Sequence, residues 1–136
     1  MTERTLKELH SLILRGLDDE TAGRYRRRNV IISGADFRPP EFLQVQAHID
    51  AFFQWYAHSA PELHPVERAA RIQADLVSIH PFADGNGRTA RLVLNLELLR
   101  AGFPVIIIPV EERGTYYIRT WIVPPPRATI YPLWSK

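Results

Sequence analysis

Residues His80 to Arg91 read HPFADGNGRTAR, and this stretch decides how the chain around it can be arranged. Before it, HPVERAARIQADLVSIH places Ala69, Ile72, Leu76 and Ile79 at helical spacing, with Pro65 in the first turn and Glu67 near the N-terminus. Pro81 cannot continue that helix, because it lacks an N–H and its ring clashes with the preceding turn. After the stretch, RLVLNLELLR predicts a second helix from near Asn86 to about Arg100, closed by Gly102 and Pro104. That helix is apolar on most sides, so it is expected to be central and buried. The chain must therefore turn sharply between two helices, and it does so through glycines.

The turn is also the place where the chemistry gathers. A helix start carries unpaired N–H groups and partial positive charge. Arg88 and Arg91 add two full positive charges where cations are unfavourable. An anion would offset this, and a glycine turn feeding a helix N-terminus is suited to phosphate. The two arginines are three residues apart on one face, and two planar guanidiniums suit a chain of phosphates. Asp84 is either a cap that neutralises the arginines or, with a polyphosphate bound, an oxygen ligand for Mg²⁺. His80 is either a helix C-terminal histidine favoured by the dipole or a general base. Phe82 between them reads as an apolar anchor, and Asn95 as a buried polar residue or a ligand contact. The bland alternative is a tight corner with turn residues only, which does not account for Arg88 and Arg91 together.

The rest of the chain is that of a single, mostly helical domain. It has 136 residues and a net charge of +2, which argues against nucleic acid as a partner. Cysteine is absent, which excludes disulfides and thiolate chemistry and agrees with a cytoplasmic setting. Glu3 and Glu8 stand where a signal peptide is apolar, and FPVIIIPV is too short to span a bilayer, so neither export nor a membrane is expected. TLKELHSLILRGL predicts a first helix with Leu6, Leu9, Ile13 and Leu17 inward. PPEFLQVQAHIDAFFQWYAH predicts another, with Phe42, Val45, Ile49, Phe52, Phe53 and Tyr56 on one stripe. Between them, RYRRR reads as a solvated or phosphate-rim patch. Val30–Ile32 with the Ser33–Gly34 turn reads as a small β-hairpin flap. His10, His48, His58 and His64 read as surface or capping residues, not zinc ligands. EERGTYYIRTWIV suggests a last helix, and four prolines in PPPRATIYPLWSK exclude a regular one after it.

HPFADGNGRTAR resembles the signature of the Fic family at every defined position, and the similarity runs from about Leu6 to Tyr117. The resemblance implies a mainly α Fic fold, a helical bundle with a small β-hairpin flap, over residues 1–123. A divergent proline-rich tail covers 124–136. It implies transfer of AMP from ATP to a hydroxyl side chain of a target protein, with release of pyrophosphate. His80 would be the base and Asp84 the Mg²⁺ ligand. Gly85, Asn86 and Gly87 would form the anion hole, Arg88 and Arg91 would hold the phosphates, and Tyr116 and Tyr117 would contribute to the adenine pocket. Val30, Ile31, Ile32, Ser33 and Gly34 would align the target by strand pairing.

Two departures from the family's pattern stand out. Pro124 falls about where relatives carry an asparagine near the nucleobase. No Ser or Thr is followed four residues later by Glu, so the family's internal inhibitory segment is not seen, and restraint by a small antitoxin protein is one expectation. The rival functions are a kinase, as in the Doc branch, transfer of another nucleotide, and a catalytically weak nucleotide-binding module. Gly87, where the Doc branch has a bulky basic residue, favours AMP transfer.

Overall fold

The computed structural model describes residues 1–33 and 36–108. Four α-helices account for the regular structure of these residues: α1 (Glu3–Leu14), α2 (Val45–His58), α3 (Pro65–Ile79) and α4 (Asn86–Arg100). Short 3₁₀ turns, Phe42–Gln44 and Ala60–Glu62, precede α2 and α3. Among the described residues no strand occurs.

The helix ends follow local chemistry. Thr2 caps α1, its hydroxyl accepting from the Thr5 N–H at 3.2 Å. The His64 ring caps α3 by accepting from the Val66 N–H, as its capping role predicts, with Pro65 at the first helical position. Gly102 closes α4 in the left-handed conformation (φ 82°), and the Phe103 N–H returns to the Leu98 carbonyl at 2.9 Å. The double proline at 39–40 leads first into a 3₁₀ turn, so α2 starts at Val45.

Helix α4 lies chiefly against α3 and also touches α1, while α2 packs on α3. The core between them holds Leu6, Val45, Ile49, Phe52, Ile72, Leu76, Ile79, Phe82, Ala90 and Val93, all nearly inaccessible to solvent. The expected inward faces of α2 and α3 are therefore borne out, with Phe53 and Tyr56 partly buried at the margin. Two expectations fail. Leu17 is exposed because α1 ends at Leu14 and Gly16 turns the chain away (φ 74°). Helix α4 is not buried all round, since Leu92 and Leu99 are exposed; only the side carrying Asn86, Ala90, Val93 and Glu97 enters the core.

The expected hairpin takes another form in the described residues. Val30 to Ile32 has no regular structure and Ser33 lies in a turn, and Ile31 is 81% exposed. Gly34 of its Ser33–Gly34 turn lies outside the described residues, as do the suggested last helix and the proline-rich tail. A lone two-stranded ribbon has too little apolar face to be stable, so a segment without regular structure is the physically simpler state.

Candidate active site

His80 is the only non-glycine residue among those described with positive φ (φ 51°, ψ 57°). It ends α3 in the left-handed conformation, a position that glycine usually fills because a Cβ is strained there. Strain of this kind persists only where the surroundings over-determine it. Here the His80 N–H donates to the Leu76 carbonyl at 3.0 Å, and the His80 carbonyl accepts from Arg26 Nε at 2.8 Å. The ring is oriented as well: Nδ1 lies 3.3 Å from the Val77 carbonyl. A carbonyl only accepts, so Nδ1 carries the proton of the neutral ring and the lone pair is on Nε2. Burial holds the His80 pKa below its ordinary value; Arg26 lowers it further, and the Val77 contact and Asp84 oppose the shift. The ring is thus neutral near pH 7.

The loop from His80 to Asn86 is tied at alternate carbonyls. Arg26 holds that of His80, Asn86 Nδ2 that of Phe82 (2.8 Å), and His10 Nε2 that of Asp84 (2.8 Å). Asn86 Oδ1 also accepts from the Phe82 N–H at 2.9 Å, so its buried side chain closes the loop on itself. Its backbone N–H, with those of Gly87 and Arg88, belongs to the first turn of α4 and has no intrahelical acceptor. Gly85 caps α4 at φ 77°, a conformation other residues rarely adopt. The Asp84 carboxylate accepts from the Gly85 N–H at 2.7 Å and faces Arg88 at 3.5 Å, yet its side chain is 78% exposed. A Cβ at Gly87 would sit 3.5 Å from Arg91 Nη1, so that guanidinium lies along the same end of α4. The fold therefore gathers His80, Asp84, Gly85, Asn86, Gly87, Arg88 and Arg91 around one turn. Tyr116, Tyr117 and Gly34 lie outside the described residues.

Two of the histidines expected as surface or capping residues are buried instead. His10 is fully buried and stacks on Phe82 (ring centroids 3.6 Å apart, planes 6° from parallel). His10 Nδ1 accepts from the Gly23 N–H at 2.9 Å, so Nε2 carries the proton donated to Asp84. Gly23 is needed there: it has φ 69°, and a Cβ would overlap the Ser11 hydroxyl. The signal was present in the spacing, because Leu6, His10 and Leu14 form one i, i+4, i+8 stripe. His48 is likewise buried on the inner face of α2. Arg26 departs from the solvated patch expected of RYRRR, being 5% exposed. Asn95 does not bond within the core: it is partly exposed, and its amide pairs with the Ile106 N–H (2.8 Å) and carbonyl (3.1 Å), tying the 103–108 segment to α4.

Among the described residues no group of three or more His, Cys, Asp or Glu could enclose a metal. The acidic donor in the loop is Asp84 alone. That donor set fits Mg²⁺, which is commonly held by one or two carboxylates together with substrate phosphates and water. It does not fit a cation needing an all-protein cage. No described helix is long and apolar enough to cross a membrane.

Comparison with known proteins points the same way as the geometry. The family model described as Fic/DOC matches residues 1–98. A protein adenylyltransferase Fic from Nematostella vectensis is 46% identical over 111 residues, which are 81% of this chain and 26% of that protein. Its counterpart in Drosophila melanogaster is 40% identical over 118 residues, 86% of this chain and 24% of that protein. The structure of Fic-1 (residues 134–508) from C. elegans superposes with a TM-score of 0.79 at 38% identity, covering 90% of this chain and 36% of the other. The chain thus spans about a quarter of the length of the curated relatives it matches.

Proposed function

The chain belongs to the Fic/DOC family, and from that premise we propose that it is a protein adenylyltransferase, transferring AMP from ATP to a hydroxyl side chain of a target protein. The observation that carries this reading is the state of His80. A neutral histidine with its lone pair on Nε2 stands at one end of a tied loop, and the other end opens α4 with Arg88 and Arg91. A base and an anion-binding helix start are the two groups the reaction requires.

In this reading the triphosphate lies over the start of α4, with the backbone N–H groups of its first turn and the two guanidiniums on the phosphate oxygens. The target segment runs along Val30–Gly34 and presents a Ser, Thr or Tyr hydroxyl to His80. Nε2 takes the hydroxyl proton as the oxygen forms its bond to the α-phosphorus. The bond from that phosphorus to the bridging oxygen breaks, and pyrophosphate leaves carrying the electron pair. Asp84 would hold Mg²⁺, which supplies charge neutralisation on the phosphates when bound. Most of the rate enhancement then comes from position and electrostatics rather than from covalent help. Tyr116 and Tyr117 line the base in this reading, in a cytoplasmic setting where ATP and Mg²⁺ are at hand. A separate antitoxin protein would be one source of restraint, and in that setting expression of the chain alone harms cells. Incubation with Mg²⁺ and ATP labelled at the α- or the γ-phosphate tests the reaction. Label from the α-position only, lost in His80→Ala, supports it; label from the γ-position identifies a kinase instead.

A further inference from the structure

Arg26 is a buried cation whose partners among the described residues are carbonyl oxygens rather than a carboxylate. Its Nε donates to His80, Nη1 to the Arg28 carbonyl at 3.1 Å and Nη2 to the Pro40 carbonyl, and its own N–H donates to Pro81 at 2.9 Å. Arg28 and Pro40 are the two stems of the segment that carries Val30–Ser33. Asn29 Oδ1 reinforces the same closure by accepting from the Phe42 N–H at 2.8 Å. One planar guanidinium therefore joins both stems of that segment to the backbone of the strained histidine. A fork of five donors can serve three acceptors in different directions, which a lysine ammonium on a flexible stem cannot reproduce. Bonds from a charged donor are also about twice as strong as neutral ones. Burying a guanidinium costs free energy, so the number and direction of these bonds call for a reason beyond solubility of the surface.

We propose that Arg26 is a positioning residue that holds the target-docking segment and the backbone of His80 in one frame, so that a hydroxyl presented along residues 30–33 arrives in register with the histidine ring. The proposal rests on the reading of His80 as the base, but its structural half is separable from that reading. Arg26 touches neither nucleotide nor target in this scheme; it acts through His80 and the two stems. Arg26 itself, from the segment after α1, and Asp84, from the loop, are charged groups that bear on the ring.

The test follows the His80 ring by NMR through a pH titration of the full chain, comparing wild type with Arg26→Gln and Arg26→Lys, and measures α-label transfer in parallel. In Arg26→Gln the His80 ring resonance moves and its titration midpoint rises, while those of His10 and His48 stay. Arg26→Lys keeps the charge but loses the fork, so its midpoint rises less while its transfer still falls. Transfer drops at least tenfold in both variants with ATP affinity unchanged. A His80 resonance and midpoint unaltered in a folded Arg26→Gln would reduce Arg26 to a structural staple and overturn the proposal. Unfolding of both variants would do the same. If wild type transfers no label, the adenylyltransferase reading fails, while the ring titration still decides whether Arg26 positions His80.

Discussion

Replacing His10 with leucine keeps most of the volume beneath Phe82 but removes two hydrogen bonds. The Asp84 carbonyl loses the Nε2–H donor and the Gly23 N–H loses its Nδ1 acceptor. An abandoned buried polar group costs about 1–3 kcal/mol. Gly23 is half-buried and belongs at the low end of that range. The sum is about 2–4 kcal/mol, a large share of the roughly 5–15 kcal/mol that a domain possesses. Leucine fills the space, so the cavity contribution is small. With a urea slope of about 2 kcal/mol/M, the midpoint falls by about 1–2 M at unchanged slope. Acid gives a second reading of the same contact. Burial lowers the pKa of His10, and protonation of Nδ1 would abolish its acceptor role. The unfolded chain therefore binds the proton more readily, and stability is lost as pH falls from the unfolded value of about 6.5 toward the folded pKa. His48 and His80 shift in the same direction, so His10→Leu reduces this acid sensitivity without removing it. A midpoint change below about 0.3 M, with acid sensitivity unaltered, would refute the loop clamp.

Other expected outcomes follow from the same geometry. Asn86→Ala strips partners from both the N–H and the carbonyl of Phe82, so unfolding in urea should show a loss of about 2–4 kcal/mol together with lost transfer. His80→Gly relieves a left-handed Cβ strain of about 1–2 kcal/mol, so thermal melting should show stability kept or slightly raised while transfer disappears; a clear drop in melting temperature would contradict the strain argument. Asp84→Asn, at an exposed position, should leave stability within about 0.5 kcal/mol and instead raise the Mg²⁺ concentration needed for half-maximal transfer. The pH profile of kcat/KM should lose activity on the acid side only below about 6.5, because the His80 pKa is lowered and its neutral form is the active one.

Much of the fold was legible because periodicity reports burial. The stripes of α2 and α3, the stop at Pro81 and the start of α4 at Asn86 appear where the spacing predicts them. The seven residues of the loop site cluster because they are close in sequence. His10 and Arg26 were missed for different reasons. His10 occupies a core position of α1, but histidine reads as polar unless its place on the stripe is weighed above its type. Arg26 has no local signal, since the carbonyls of His80 and Pro40 reach it only through the tertiary fold. Polar residues buried by distant backbone acceptors resist any reading by neighbours in sequence. The exposed Leu92 and Leu99 show the converse limit, because a helix apolar on most sides predicts burial without identifying what would cover it.

The central claim is that His80 performs the proton transfer while the start of α4 holds the nucleotide. The most direct measurement is the rate of α-phosphate label transfer by His80→Ala at saturating Mg²⁺ and ATP, relative to wild type. A positioned general base contributes about 10²–10⁴-fold, so the account predicts a loss of at least a hundredfold. Transfer by the variant within about tenfold of wild type would remove His80 from the chemistry and contradict the account.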